Sequence, residues 1–208
     1  MKFILFVEGH TEKKALPDFL KRWLDVRLPQ KVGIKVVRFE GWRDYNEEIA
    51  KKVELNLGGK TGADAIAGIG LLDLYGPTFY PPNKTAAAER YEWGKTMFEE
   101  KVGHTKFRQH FSVHETEAWL LADPDILPSA VAKALPGKSR QPESVNFNEP
   151  PAKLLERLYK EKLGKPYKKL IDGANLFAKL SPDVAQAKCP YLGRLLQDML
   201  ALAQQAMA

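Results

Sequence analysis

The sequence predicts an α/β protein: a mostly parallel sheet flanked by helices, followed by a helical C-terminal part. Three observations carry this. Apolar strand-like runs alternate with segments of helical period through the first part of the chain. The run Ala65 to Leu72 is apolar on both faces, as a central parallel strand requires. Beyond Pro151 the apolar residues recur at helical spacing.

The elements follow in order. Phe3 to Val7 is an apolar strand that runs into Glu8-Gly9-His10-Thr11-Glu12, where a glycine allows a sharp turn. Thr11 caps a helix to about Arg27, with Ala15, Leu16, Phe19, Leu20, Trp23 and Leu24 on one face; Pro17 marks a late start or a kink. Lys13, Lys14, Lys21 and Arg22 fall mostly on the other face. Gly33 to Phe39 suits a second strand, and Asp44 to Leu57 a helix stopped at Gly58-Gly59. The third strand, Ala65 to Leu72, ends at Asp73. A proline-rich loop, Pro77 to Asn83, precedes a long helix, Lys84 to Val102. The fourth strand, Lys106 to Val113, delivers His114-Glu115-Thr116-Glu117, and Ala118 to Ala122 continues as a short helix until Asp123-Pro124. Strands separated by helices imply right-handed crossovers and a layered core over residues 1–125. Leu127 to Pro151 carries Pro128, Pro136, Pro142, Pro150 and Pro151 and is expected to be an irregular connection. Helices over Ala152 to Leu163, Tyr167 to Lys179 and Tyr191 to Ala206 then make residues 126–208 a part packed on the core.

With 208 residues and 44% hydrophobic content, the chain can form one compact body. Five apolar residues between Met1-Lys2 and Glu8 are too few for a secretory signal or a membrane span, so a cytoplasmic protein without membrane contact is expected. The single cysteine, Cys189, excludes an internal disulfide, and the histidines His10, His104, His110 and His114 have no zinc-site spacing. A formal charge of +6 favours a polyanionic partner such as nucleic acid, although it also serves ordinary solubility.

Acids stand at three strand ends: Glu8 with Glu12, Asp73, and Glu115 with Glu117. Neighbouring parallel strands present their carboxyl ends on one edge, where α/β proteins bind ligands, so these acids can converge. Carboxylates held close repel one another, and a hard divalent cation, Mg2+ or Mn2+, relieves this with oxygen ligands. Such an ion can activate water and steady a phosphoryl transition state. His10, Lys13 and His114 are candidate substrate contacts beside it. Each feature also has a plainer use. Glu8 and Glu12 can serve the start of a helix, Asp73 can form a turn, and Trp119 can pack in the core. Lys160, Lys162, Lys165, Lys168 and Lys169 suit a solvated face as well as a nucleic-acid contact. Gly58-Gly59-Lys60-Thr61-Gly62 is no phosphate-binding loop: it follows a helix, and Glu54 stands where the first glycine is needed.

The segments Val7-Glu8-Gly9-His10-Thr11-Glu12, Leu72-Asp73-Leu74-Tyr75-Gly76, His114-Glu115-Thr116-Glu117-Ala118-Trp119 with Asp123-Pro124, and Lys188-Cys189-Pro190 together resemble the Toprim domain. More narrowly, they are similar to a bacterial family called domain of unknown function 4276, related to Toprim nucleases of the OLD type. The resemblance implies a Toprim-like fold, with Glu8, Glu12, Asp73 and Glu117 as metal ligands and Glu8, Asp73, Glu115 and Glu117 as the catalytic set. It also implies a partner ATPase and a phage-defence setting. The chain departs from the pattern at Tyr75, which replaces the second acid of Asp-x-Asp, so two-metal catalysis needs Glu117 or Asp123 to compensate. The expected function is a metal-dependent phosphodiesterase, a nuclease for DNA or RNA. The alternatives are an incomplete Toprim-like regulatory module and a phosphohydrolase for a small phosphorylated molecule.

Overall fold

A computed structural model describes residues 1–144 and 149–208. Its centre is a four-stranded parallel sheet made of β1 (Lys2–Val7), β2 (Gly33–Arg38), β3 (Ala65–Asp73) and β4 (Phe107–Ser112), in the order β2-β1-β3-β4. The α/β class and the positions of the strands are those expected from the apolar runs. Helices α1 (His10–Leu24), α2 (Trp42–Leu57) and α3 (Ala87–Val102) make the connections. Pro17 lies inside α1, so the late start is not the one adopted.

Both faces of the sheet are covered, which explains why its central strands are apolar without interruption. Along β1, Phe3, Leu5 and Val7 join α1 and the C-terminal helices in one core, while Ile4 and Phe6 join Tyr45, Ile49, Val53 and Phe98 from α2 and α3 in another. Successive strand residues point to opposite faces, so one hydrophobic run feeds two cores. In β3 the second core leaves no room for side chains: a Cβ at Gly70 would collide with Tyr45 Oη and Gln109 Oε1, which are hydrogen-bonded to each other at 2.6 Å.

Helix α3 starts three residues later than the sequence suggests. The Glu89 carboxylate accepts the N–H groups of Thr85 and Ala86 at 3.3 and 3.2 Å, which fixes the helix start there. The chain then continues through α4 (Glu117–Leu121), α5 (Ser129–Ala132), α6 (Pro151–Leu163), α7 (Ala174–Lys179), α8 (Pro182–Lys188) and α9 (Pro190–Met207). The expected helix over Tyr167 to Lys179 is shorter and divided: a π-helical turn, Lys169–Gly173, leads into α7. Helix α8 is an addition, begun by Ser181, whose Oγ accepts the N–H of Val184, and by Pro182 in the first turn. The proline-rich connection contains α5 and a short 3-10 turn, Gly137–Arg140, and its residues 145–148 lie outside the described residues. Leu154, Phe177, Leu192 and Met199 from this second half share a core with β1. Trp119 is fully buried and stacks on Phe19, with centroids 6.0 Å apart, so it packs the core. Among the described residues no helix is long and apolar enough to cross a membrane.

Candidate functional site

The parallel register sets the site. Val7 pairs with Leu71, and Asp73 pairs with Ser112, so Glu8, Asp73 and the segment after β4 emerge on one edge of the sheet. Glu12 joins them from the first turn of α1, and Glu117 from the start of α4. The Glu12 carboxylate lies so close to Gly9 that a Cβ there would strike it, which explains the glycine at this turn.

The acids are tied to one another by short polar side chains. Asp73 Oδ1 accepts from Ser112 Oγ at 2.6 Å and from the N–H of Thr116 at 3.1 Å. Thr116 Oγ1 donates to Glu12 Oε1 at 3.0 Å and lies 3.4 Å from Glu117 Oε2. The π-helical turn brings in Lys169, whose Nζ is 3.1 Å from Glu117 Oε2 and 4.0 Å from Glu12 Oε1. Glu8, Gly9, His10, Thr11, Glu12, Asp73, Lys169 and Leu170 line a cleft of about 300 Å³, and Glu117 is fully buried beside them.

Burial dominates the electrostatics. It raises the carboxyl pKa of Glu8, with Glu12 adding repulsion, and raises that of Asp73 well above the usual range, again with help from Glu12. Glu117 is pushed up to about 7 by burial, although Lys169 opposes the shift. For Lys169 burial disfavours the charge, but Glu117, Asp73 and Glu12 outweigh it and hold the ammonium protonated. Among the described residues, the buried carboxylate oxygens Glu8 Oε2 and Glu117 Oε1 have no hydrogen-bond partner.

The predicted residues divide accordingly. Glu8, Glu12, Asp73 and Glu117 come together, and exposed His10 lines the cleft. Lys13 is exposed on α1 and does not line it. His114 is partly buried, and its carbonyl accepts the N–H of Tyr75 at 2.9 Å. Glu115 turns aside: its Oε2 accepts the N–H of Ala152 at 2.9 Å, at the start of α6. Asp123 accepts the N–H of Asp125 at 3.3 Å and so caps the next turn instead of replacing the acid missing at Tyr75. Lys169, Thr116 and Ser112 were not legible as site residues; Lys169 stood among five similar lysines.

The donor set suits a hard divalent cation: it is made of carboxylate oxygens, two of them buried without a partner. As the side chains stand, no group of three or more His, Cys, Asp or Glu among the described residues is set to hold a metal ion, and Lys169 occupies the space between the acids. An ion here would therefore compete with Lys169 for Glu117.

No curated protein matches the chain. Among solved structures it is similar to the C-terminal region of the Burkholderia pseudomallei OLD protein, with 19% identity and a TM-score of 0.47 over 96% of this chain and 98% of that one. It is also similar to the C-terminal region of the Xanthomonas campestris pv. campestris OLD protein, with 19% identity and a TM-score of 0.46 over 98% and 97% of the two chains. A family model matches residues 7–200, and the chain belongs to that family, described as Domain of unknown function (DUF4276).

Proposed function

We propose that the protein is a Mg2+- or Mn2+-dependent phosphodiesterase acting on nucleic acid. The observation that carries this is the gathering of Glu8, Glu12, Asp73 and Glu117 at one sheet edge, beside an open cleft, with two carboxylate oxygens left unpartnered. These four residues would hold the ion, which when bound supplies charge neutralisation and activation of water at a phosphodiester. The protein's own groups do the rest. Ser112 and the N–H of Thr116 hold Asp73 in place, and Thr116 Oγ1 does the same for Glu12. Lys169, with 39% of its side chain exposed, balances the cluster and presents an ammonium to a phosphate in the cleft. Exposed His10 offers an imidazole at the same mouth for a phosphate oxygen or a proton. Glu115 positions α6 through Ala152.

Plasmid DNA, single-stranded DNA, RNA and bis(p-nitrophenyl) phosphate are incubated with the protein in Mg2+ or Mn2+, beside Glu8→Ala and Asp73→Asn. Cutting that needs the metal and falls at least about 100-fold in both variants is expected, in line with loss of a charge-stabilising group. Cutting that persists equally in both variants contradicts the proposal. A second reading, a regulatory module that acts with a partner ATPase, is favoured by the acids being arranged around Lys169 and by Tyr75 in place of an acid. It predicts nucleic-acid binding without any metal-dependent cleavage.

A further inference from the structure

Tyr75 follows Asp73 by two residues and is 53% exposed, and its ring has no ring partner among the described residues. Its backbone is fixed by the bond to His114. The loop beyond carries Phe79, whose ring lies 5.8 Å from Trp42 and 6.2 Å from Trp93, the latter pair inclined by only 30°. All three of these rings are partly exposed. This rim adjoins the acid cluster: a Cβ at Gly41, the residue before Trp42, would lie 4.0 Å from Glu8 Oε1, and Tyr75 follows Asp73 by two residues. Two guanidinium groups lie over the rim: Arg43 5.1 Å above the Trp42 ring and Arg90 5.2 Å above the Tyr80 ring. Among the described residues neither arginine has a carboxylate within ion-pair distance; Arg90 Nε donates to the Lys84 carbonyl at 2.9 Å, which leaves its charge uncompensated.

Partly exposed rings interleaved with uncompensated cations are the chemistry that binds a single strand, whose unpaired bases offer free π faces. A duplex hides those faces in its own stack. Ring and charge here lie on the segments that follow Gly41 and Asp73, beside the acids of the proposed site. Resting on the phosphodiesterase proposal, we infer that the substrate is nucleic acid in unpaired form, its bases stacking on Tyr75 and the Trp42–Phe79–Trp93 rim while Arg43 and Arg90 take its phosphates.

The test is binding of fluorescein-labelled oligothymidylate and of a duplex of equal length, measured by anisotropy in a chelator so that no cleavage occurs. Tighter binding of the single strand by about 10-fold or more is expected. Tyr75→Ala, a surface change, should weaken single-strand binding by about 5-fold or more, Tyr75→Phe should restore it, and duplex binding should not respond. The wild-type strand should also quench tryptophan fluorescence. Equal affinity for both forms, or an unaltered Tyr75→Ala, overturns the inference. Hydrolysis of bis(p-nitrophenyl) phosphate in Mn2+ by the wild type reports separately on the phosphodiesterase proposal. Selective binding without hydrolysis fails that proposal alone, and hydrolysis without selectivity fails this one alone.

Discussion

Lys169 reaches the carboxylates from a π-helical turn, and its ammonium faces Glu117 and Glu12 while also interacting with Asp73. Removing this charge leaves buried acids facing one another, but the lysine is partly exposed and solvent screens some of its effect. Lys169→Met should therefore cost about 1–2 kcal/mol without metal, and Mn2+ should return more stability to the variant than to the wild type. Thermal unfolding with and without Mn2+ measures both effects. The raised acids also set a pH dependence. Glu117 and Glu143 have folded pKa values of about 7 against an ordinary 4.5, so between these values the native state binds more protons than the unfolded one. Metal-free stability should then fall as pH rises from about 4.5 through about 7, as read by denaturant midpoints across that range; a rise would contradict the assignment. Glu8 and Asp73 were legible as candidates because each ends an apolar run, and Glu12 and Glu117 because each lies a few residues beyond one. Lys169 was not, because its position depends on a turn between Tyr167 and Gly173 that helical periodicity conceals.

At the level of elements, Glu143 holds the start of α9 to the core. Its carboxylate accepts the N–H of Tyr191 at 2.7 Å, that of Leu192 at 3.2 Å and the indole N–H of Trp119 at 3.1 Å. Glu143→Ala strands two buried donors and a partly buried one, and a loss of about 2–4 kcal/mol is expected, seen in calorimetry as a melting temperature lower by roughly 5–15 °C. A near-neutral effect would mean that water replaces the carboxylate. Sequence gave no hint of this residue, since it lies in the proline-rich connection where neither period applies. The strands were visible because both faces of β1 and β3 are buried, leaving unbroken apolar runs. The C-terminal helices were harder. The π-helical turn ends at Gly173 and runs directly into α7, and α8 is only seven residues long, so its Ser181-Pro182 start was the sole signal.

For the whole molecule, parallel pairing brings residues more than a hundred positions apart to one edge, where Thr116 bonds to Glu12. The chain carries a formal charge of +6, which favours a polyanionic partner, whereas the proposed site is acidic and would take a cation. Composition revealed the first tendency, and strand ends revealed the second. The position of the aromatic rim needed the fold, because Trp42, Phe79 and Trp93 lie on three different segments. The central claim is that the four acids bind a divalent ion. Titration of Mn2+ into the metal-free protein by calorimetry tests it most directly, with Glu8→Gln and Asp73→Asn as companions. The account predicts saturable binding that weakens at least about 10-fold in each variant. No binding by the wild type, or the same affinity in all three proteins, would contradict it.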